Sequence, residues 1–175
     1  MNHNQTSIIQ WNCRGFTANF EELKNLISDH NPMAVCLQET LLKDTDQINL
    51  KNYDMHNVTS VSPLDGRPTG GSSIVIKRGV PHETLQLNTD MQAVAAKVTL
   101  HRTVTICSIY IPPNYQPNKQ ELDNLLDQLP PPLILLGDFN AHNTLWGSQS
   151  TSTSGTLIEN IMAENDLCLL NDGSN

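Results

Sequence analysis

Asp138 and Asn140 stand two residues apart, directly after a glycine and a run of large aliphatic residues at 133–136. The aliphatic run predicts a buried strand, and on extended backbone a spacing of two places both polar side chains on one face. A carboxylate beside a carboxamide can hold a water molecule and a developing negative charge. Aspartate and asparagine are also common where a chain turns. This stretch by itself therefore leaves a turn and a chemical site equally open.

Polar side chains end three more apolar runs of the sequence. Asn12 follows residues 8–11, Glu39 follows 34–38, and Tyr110 follows 105–109. Each also has an ordinary explanation. Asn12 could be a turn residue, Glu39 a solvated or capping carboxylate, and Tyr110 a core side chain. Function is often placed on loops at strand ends, so the repetition favours a site. If these ends converge, their hard oxygen ligands favour Mg²⁺ or Mn²⁺ over zinc.

Hydrophobic periodicity predicts the scaffold that would position these groups. Strands are predicted over 8–13, 33–38, 73–77, 93–100, 103–111 and 133–136, and weaker ones over 53–59 and 167–170. Helices are predicted over 20–29, 119–129 and 155–165, with Asn19 and Asn118 as candidate caps of the first two. The runs 93–100 and 103–111 predict an antiparallel hairpin. The predicted helices have one apolar face each, and the predicted strands are apolar along nearly their whole length. This combination indicates an α/β protein with helices outside and sheets inside.

Length and composition narrow the class further. A chain of 175 residues fits one domain over 1–175. The net charge of -8 argues against a broad grip on nucleic-acid phosphates, but not against an enzyme that reaches phosphate through a bound cation. Four dispersed cysteines are expected to be buried in a reducing compartment. Without a secretory signal or a long apolar run, we expect a nuclear or cytoplasmic protein with no membrane partner.

Several short motifs occur in an order that resembles the endonuclease/exonuclease/phosphatase superfamily. They are Gln10-Trp11-Asn12-Cys13-Arg14-Gly15, Leu37-Gln38-Glu39-Thr40, Gly70-Gly71, Ser108-Ile109-Tyr110-Ile111-Pro112-Pro113 and Gly137-Asp138-Phe139-Asn140-Ala141-His142, the last followed by Leu145-Trp146-Gly147. The Asn-Ala-His motif and the Trp-Gly motif after it resemble in particular the endonuclease domain of jockey-like non-LTR retrotransposon polyproteins. The resemblance spans nearly the whole chain.

The resemblance implies a fold, an activity and a set of roles. The fold would be a four-layer α/β-sandwich with two mixed β-sheets face to face and helices outside. The activity would be metal-dependent hydrolysis of a DNA phosphodiester bond with Mg²⁺ or Mn²⁺. Glu39 would be the main metal ligand with Asn12 beside it, while Asp138 would orient or deprotonate the attacking water. Asn140 would hold the phosphate oxygens, and Tyr110 would stabilise the transition state.

The resemblance also implies binding partners, and the sequence differs from the family in one respect. Target DNA would be the substrate, with element RNA and a downstream reverse transcriptase domain as further partners. The family's sandwich closes with a segment that ends in a Ser-Asp-His motif, and no such segment follows Asn140. We therefore expect a C-terminally incomplete domain, with its last strands missing and weak or absent activity. Two alternatives stay open: an inactive retrotransposon remnant that binds phosphate or metal, and a hydrolase of lipid or small phosphate esters.

Overall fold

Two four-stranded mixed β-sheets form the centre of the protein in a computed structural model, which describes residues 6–171. The strands are β1 (Ile8–Asn12), β2 (Ala34–Gln38), β3 (Tyr53–Val58), β4 (Ser72–Lys77), β5 (His82–Leu85), β6 (Gln92–Thr99), β7 (Thr103–Tyr110) and β8 (Leu133–Asp138). The first sheet has the order β1-β2-β4-β3 and the second β5-β6-β7-β8. Each sheet has one parallel pair, β1 with β2 and β7 with β8, and its other pairs are antiparallel.

Three helices cover the outer faces of the two sheets. They are α1 (Phe20–His30), α2 (Lys119–Leu126) and α3 (Thr153–Glu164). Leu23 of α1 lies in one apolar cluster with Val35 and Leu37 of β2. Leu125 of α2 and Ile161 of α3 lie in another, against β6 and β7. The predicted four-layer α/β-sandwich with helices outside is confirmed.

The alternation of side chains explains why β2 is apolar throughout. Val35 and Leu37 face α1, whereas Ala34 and Cys36 face the second sheet and pack in the cluster between the sheets. All four are fully buried. Because both faces of the strand are covered, a continuous apolar run is favoured over strict alternation of polar and apolar residues.

Local details confirm some sequence predictions and correct others. The hairpin is confirmed as β6 and β7, and Asn118 caps α2 in a capping box with Glu121. Asn19 does not cap α1 through its side chain, because its Nδ2 donates to the Cys13 carbonyl at 2.7 Å. Residues 167–170 form no strand, and Cys168 is exposed rather than buried. In the described part of the chain, no helix is both long and apolar enough to span a bilayer.

Candidate active site

The parallel strand pairs bring four strand ends to one edge of the sandwich. Asn12 pairs with Gln38 at the end of β1 and β2, and Tyr110 pairs with Asp138 at the end of β7 and β8. β1 lies against β8, and β2 lies against both β7 and β8. The carboxyl ends of both pairs therefore meet, as the repeated pattern of polar strand ends predicts.

A single amide group joins two carboxylates from different sheets. Asn12 Nδ2 donates to Glu39 Oε1 at 2.7 Å and to Asp138 Oδ2 at 2.8 Å. Its Oδ1 accepts from the backbone N–H of Arg14 at 3.2 Å, so the orientation of the amide is fixed. Asn12, Glu39 and Asp138 are all half-buried, which leaves the cluster open to solvent on one side.

Tyr110 lies beside these carboxylates with only 7% of its surface exposed. Burial raises the pKa of Tyr110 to about 12, and the charge of Glu39, a hydrogen bond to Glu39 and the charge of Asp138 act in the same direction. Its phenol therefore keeps its proton at neutral pH. In this environment Tyr110 is a hydrogen-bond donor, not a phenolate.

Asn140 reaches the edge of the cluster differently from the prediction. Strand β8 ends at Asp138, and Asn140 has a left-handed backbone with φ of 46°. The expectation that both side chains share one face of an extended strand is therefore wrong, because the Asp138 carboxylate accepts from Asn140 N–H at 3.0 Å and turns the chain. The Asn140 side chain is exposed, and its Nδ2 donates to the Ile111 carbonyl at 2.9 Å. It is thus fixed just past Tyr110.

The backbone around Glu39 is strained and is held by its neighbours. Glu39 and Leu41 both have φ of 52°, a conformation that typically costs ~1–3 kcal/mol in residues other than glycine. Glu39 O accepts from Gly15 N–H at 2.7 Å, and Leu41 N–H donates to Gly70 O at 2.8 Å. Strain of this kind concentrates at functional sites, where the surrounding structure imposes it.

Gly70 makes room for the tyrosine. It has φ of 72°, and a Cβ at this position would lie 2.7 Å from Tyr110 Cε1 and in contact with Gln92 Oε1. The same Gln92 oxygen accepts from Gly71 N–H, so it anchors the glycine pair. The Gly-Gly motif is therefore explained by backbone shape and close approach to Tyr110.

A buried polar network beneath the cluster was missed by reasoning from the sequence. Gln38 is fully buried; its Oε1 accepts from Gln10 Nε2 at 2.6 Å, and its Nε2 donates to Ser108 Oγ at 3.0 Å. Ser108 Oγ lies 2.8 Å from Ser72 Oγ. The network joins the two sheets immediately before Glu39, so it positions that residue. A glutamine inside an apolar run was the available signal.

The remaining motif residues support the loop after β8. His142 is exposed and its backbone N–H donates to Ser152 Oγ at 3.2 Å, while Trp146 Nε1 donates to the Ala141 carbonyl at 2.8 Å. A Ser-Asp-His tripeptide does occur in the chain, at residues 28–30. Its side chains are exposed at the end of α1, on the outside of the sandwich, so it does not supply the family motif.

The charges of the cluster suit a divalent cation. Among residues 6–171, the salt bridges do not include Glu39 or Asp138. The nearby donors are carboxylate, carboxamide and phenol oxygens, which are the ligands that Mg²⁺ and Mn²⁺ prefer. The residues present therefore fit a hard cation next to Glu39.

Sequence comparisons find similarity to polymerases of mobile elements. The family model described as "Endonuclease-reverse transcriptase" matches residues 104–175. The RNA-directed DNA polymerase from mobile element jockey of Drosophila melanogaster is 28% identical over 166 residues, covering 93% of this chain and 18% of the relative. The probable RNA-directed DNA polymerase from transposon X-element of the same species is 23% identical and is covered to 18% as well. The chain thus spans about a fifth of the length of these relatives.

Solved structures show the same fold. The endonuclease domain of TRAS1, a telomere-specific non-LTR retrotransposon, matches with a TM-score of 0.77 and 21% identity, over 95% of this chain and 75% of that one. A 3′ phosphatase from Neisseria bound to a product DNA hairpin matches with a TM-score of 0.64 and 17% identity, over 91% and 71%. The chain therefore has the fold of these solved domains, and it is similar in sequence to the jockey and X-element polymerases.

Proposed function

We propose that this domain is a metal-dependent DNA endonuclease that nicks target DNA by hydrolysing a phosphodiester bond. The observation that carries the proposal is the bridge from Asn12 to Glu39 and Asp138, with Tyr110 beside both carboxylates. It gathers two carboxylates and a neutral phenol at one open edge of the sandwich. This set can bind a cation, activate water and stabilise a phosphoryl group.

Glu39 is the proposed main metal ligand. Its carboxylate is free of cationic side-chain partners in the described part of the chain, and Asp138 lies on the other side of the same amide. Asn12 presents its Nδ2 to these carboxylates, so its Oδ1 joins the ligand set only if the amide turns over and releases Arg14 N–H. Bound Mg²⁺ or Mn²⁺ would neutralise phosphate charge and act as a Lewis acid.

Asp138 is the proposed acceptor for the proton of the attacking water. One of its oxygens already accepts from Asn12 and the other from Asn140 N–H, so the carboxylate is held in one orientation. Tyr110 and Asn140 would donate hydrogen bonds to phosphate oxygens as negative charge develops, and one such preorganised donor is typically worth about 3 kcal/mol. Asn140 Nδ2 carries two hydrogens, so it can keep its bond to the Ile111 carbonyl and donate the second hydrogen to phosphate.

DNA is the proposed substrate because the relatives named above are RNA-directed DNA polymerases of mobile elements. The net charge of -8 makes a broad electrostatic grip on DNA weak, so contact would depend on the cation and the loops around the cluster. As in the sequence-based expectation, we propose element RNA and a downstream reverse transcriptase domain as further partners, and a nuclear or cytoplasmic location.

Nicking of supercoiled plasmid by the purified chain in Mg²⁺ tests the proposal. We expect conversion of supercoiled to open-circular DNA that is lost in EDTA and in Glu39→Ala. A small phosphodiester such as bis-p-nitrophenyl phosphate and a phospholipid vesicle are assayed in parallel. Faster turnover of either than of DNA would contradict the DNA assignment.

We further propose that the isolated 175-residue chain cleaves DNA more slowly than family members that carry Ser-Asp-His at the cluster. The tripeptide at 28–30 lies elsewhere, and groups that act as a unit on a transition state fail together. A folded chain that cleaves none of the substrates would favour the alternative of an inactive module that binds phosphate or metal. Nicking at a rate typical of such nucleases would contradict the proposed impairment.

A further inference from the structure

Two histidines meet at the edge of the sandwich that lies away from the catalytic cluster. His56 lies on β3, an edge strand of the first sheet, and His82 on β5, an edge strand of the second. Their Nε2 atoms are 3.0 Å apart, with ring centroids at 5.1 Å and an interplanar angle of 68°. The pair therefore closes the gap between the two sheets with two converging nitrogen atoms.

The distance between these two nitrogens is close to the distance between two nitrogen ligands of one metal ion. Zinc–imidazole bonds are about 2.0–2.1 Å long, so two nitrogens bound to one tetrahedral zinc ion lie about 3.3 Å apart. From the observed 3.0 Å the two nitrogens would have to move apart only slightly, and His56 would carry its proton on Nδ1 rather than on Nε2 when the ion binds. Imidazole is a preferred ligand of Zn²⁺, Cu²⁺ and Ni²⁺, and a poor one for Mg²⁺.

The backbone orients one of the two rings for this purpose. His82 Nδ1 lies 2.9 Å from the Val80 carbonyl, and since a carbonyl only accepts, Nδ1 carries the proton. The lone pair of His82 then lies on Nε2, directed at His56. A backbone carbonyl that fixes the second nitrogen is the usual support of a metal-binding histidine.

Both rings can be reached from solvent, and the surroundings of His56 favour its neutral form. Both histidines are half-buried, and burial together with the neighbouring His82 lowers the pKa of His56. Asp54, two residues earlier on β3, places a carboxylate nearby and is paired with Arg78 at 3.0 Å. Within residues 6–171 no third His, Cys, Asp or Glu completes a cluster, so water would fill the other coordination positions.

We propose that His56 and His82 form a two-histidine site for a Zn²⁺-class transition-metal ion, which clips β3 of one sheet to β5 of the other. The site is separate from the cluster around Glu39, because that cluster lies at β1, β2, β7 and β8. It uses nitrogen ligands where the catalytic cluster uses oxygen, so the two would select different ions.

Titration calorimetry with Zn²⁺ on the full chain carrying Glu39→Gln tests the proposal without the catalytic metal site. We expect binding near one equivalent and an upward shift of the melting temperature with added Zn²⁺. His56→Gln and His82→Gln should each weaken binding at least tenfold and remove most of that shift. His101→Gln, at an exposed histidine in the β6–β7 turn, is the matched control and should change neither.

A second measurement needs no substitution in the pair. Zn²⁺ should protect His56 and His82, but not His101, from modification by diethyl pyrocarbonate, as mapped by mass spectrometry. Equal binding by the wild-type and His→Gln chains, or modification that ignores Zn²⁺, would overturn the proposal and leave the pair as a hydrogen bond between the sheets. Neither readout uses nicking, so failure here does not bear on the proposed nuclease.

Discussion

Replacement of Asn12 by alanine tests the bridge between the two carboxylates. The change removes the hydrogen bonds of 2.7 and 2.8 Å to Glu39 and Asp138. Buried hydrogen bonds to charged groups are worth about 1.5–3 kcal/mol each, but water replaces part of this at half-buried groups. We therefore expect a loss of about 2 kcal/mol in the free energy of unfolding, and roughly 10²-fold slower nicking as the carboxylates lose their relative position.

Urea denaturation in EDTA measures the stability part of this prediction. The midpoint should fall with an unchanged slope, since the surface exposed on unfolding stays the same. Asn57→Ala, at an exposed asparagine of β3, is the control for loss of an amide. Its free energy of unfolding should be lower than that of the wild type by less than about 0.5 kcal/mol.

A double-mutant cycle isolates the contact itself. Asn12→Ala and Asp138→Ala should be coupled by about 1–2 kcal/mol, because the two side chains are direct partners. Strictly additive effects, or an Asn12→Ala chain as stable and active as the wild type, would refute the bridge as the organiser of the site.

Three further predictions follow from other parts of the structure. Gly70→Ala should cost about 1–3 kcal/mol and slow nicking, since its Cβ would collide with Tyr110 on a left-handed backbone; denaturation and nicking assays check this. Ser108→Ala should lower the free energy of unfolding by about 1–3 kcal/mol in a denaturation experiment, because Nε2 of the fully buried Gln38 loses its acceptor, whereas exposed Ser28→Ala should not. At pH 8, a thiol reagent should titrate Cys168 rapidly and the three others only after unfolding. Burial raises the pKa of these three thiols, which therefore stay protonated: Cys13, Cys36 and Cys107.

The sequence predicted the layers and most strands because the local patterns were strong. Continuous apolar runs with polar ends identified β1, β2, β7 and β8, and Asn118 with Glu121 marked the start of α2. Strand β5 was missed because it is four residues long and mixed in polarity. Residues 167–170 are apolar enough for a strand but have no partner strand in the described part of the chain.

The convergence of the candidate site residues was predictable, but the geometry of their contacts was not. Four polar strand ends converge because each sheet contributes one parallel pair, which the repeated motif indicates. The turn at Asp138 depends on a hydrogen bond from Asn140 N–H, and the buried network depends on Gln38 meeting Ser108 across the sheets. Such contacts between residues distant in sequence are set by tertiary packing and have no local signature.

The rate of plasmid nicking as a function of Mg²⁺ concentration, for the wild type and Glu39→Gln, tests the central claim most directly. The proposed role of Glu39 predicts a wild-type rate that rises with Mg²⁺ and saturates. In Glu39→Gln we expect a maximal rate at least 10²-fold lower and weaker apparent affinity for the cation, since a neutral amide replaces the main ligand. Glu22→Gln, at an exposed carboxylate of α1, should match the wild type. Equal Mg²⁺ dependence in the wild type and Glu39→Gln would contradict a metal-dependent nuclease centred on Glu39.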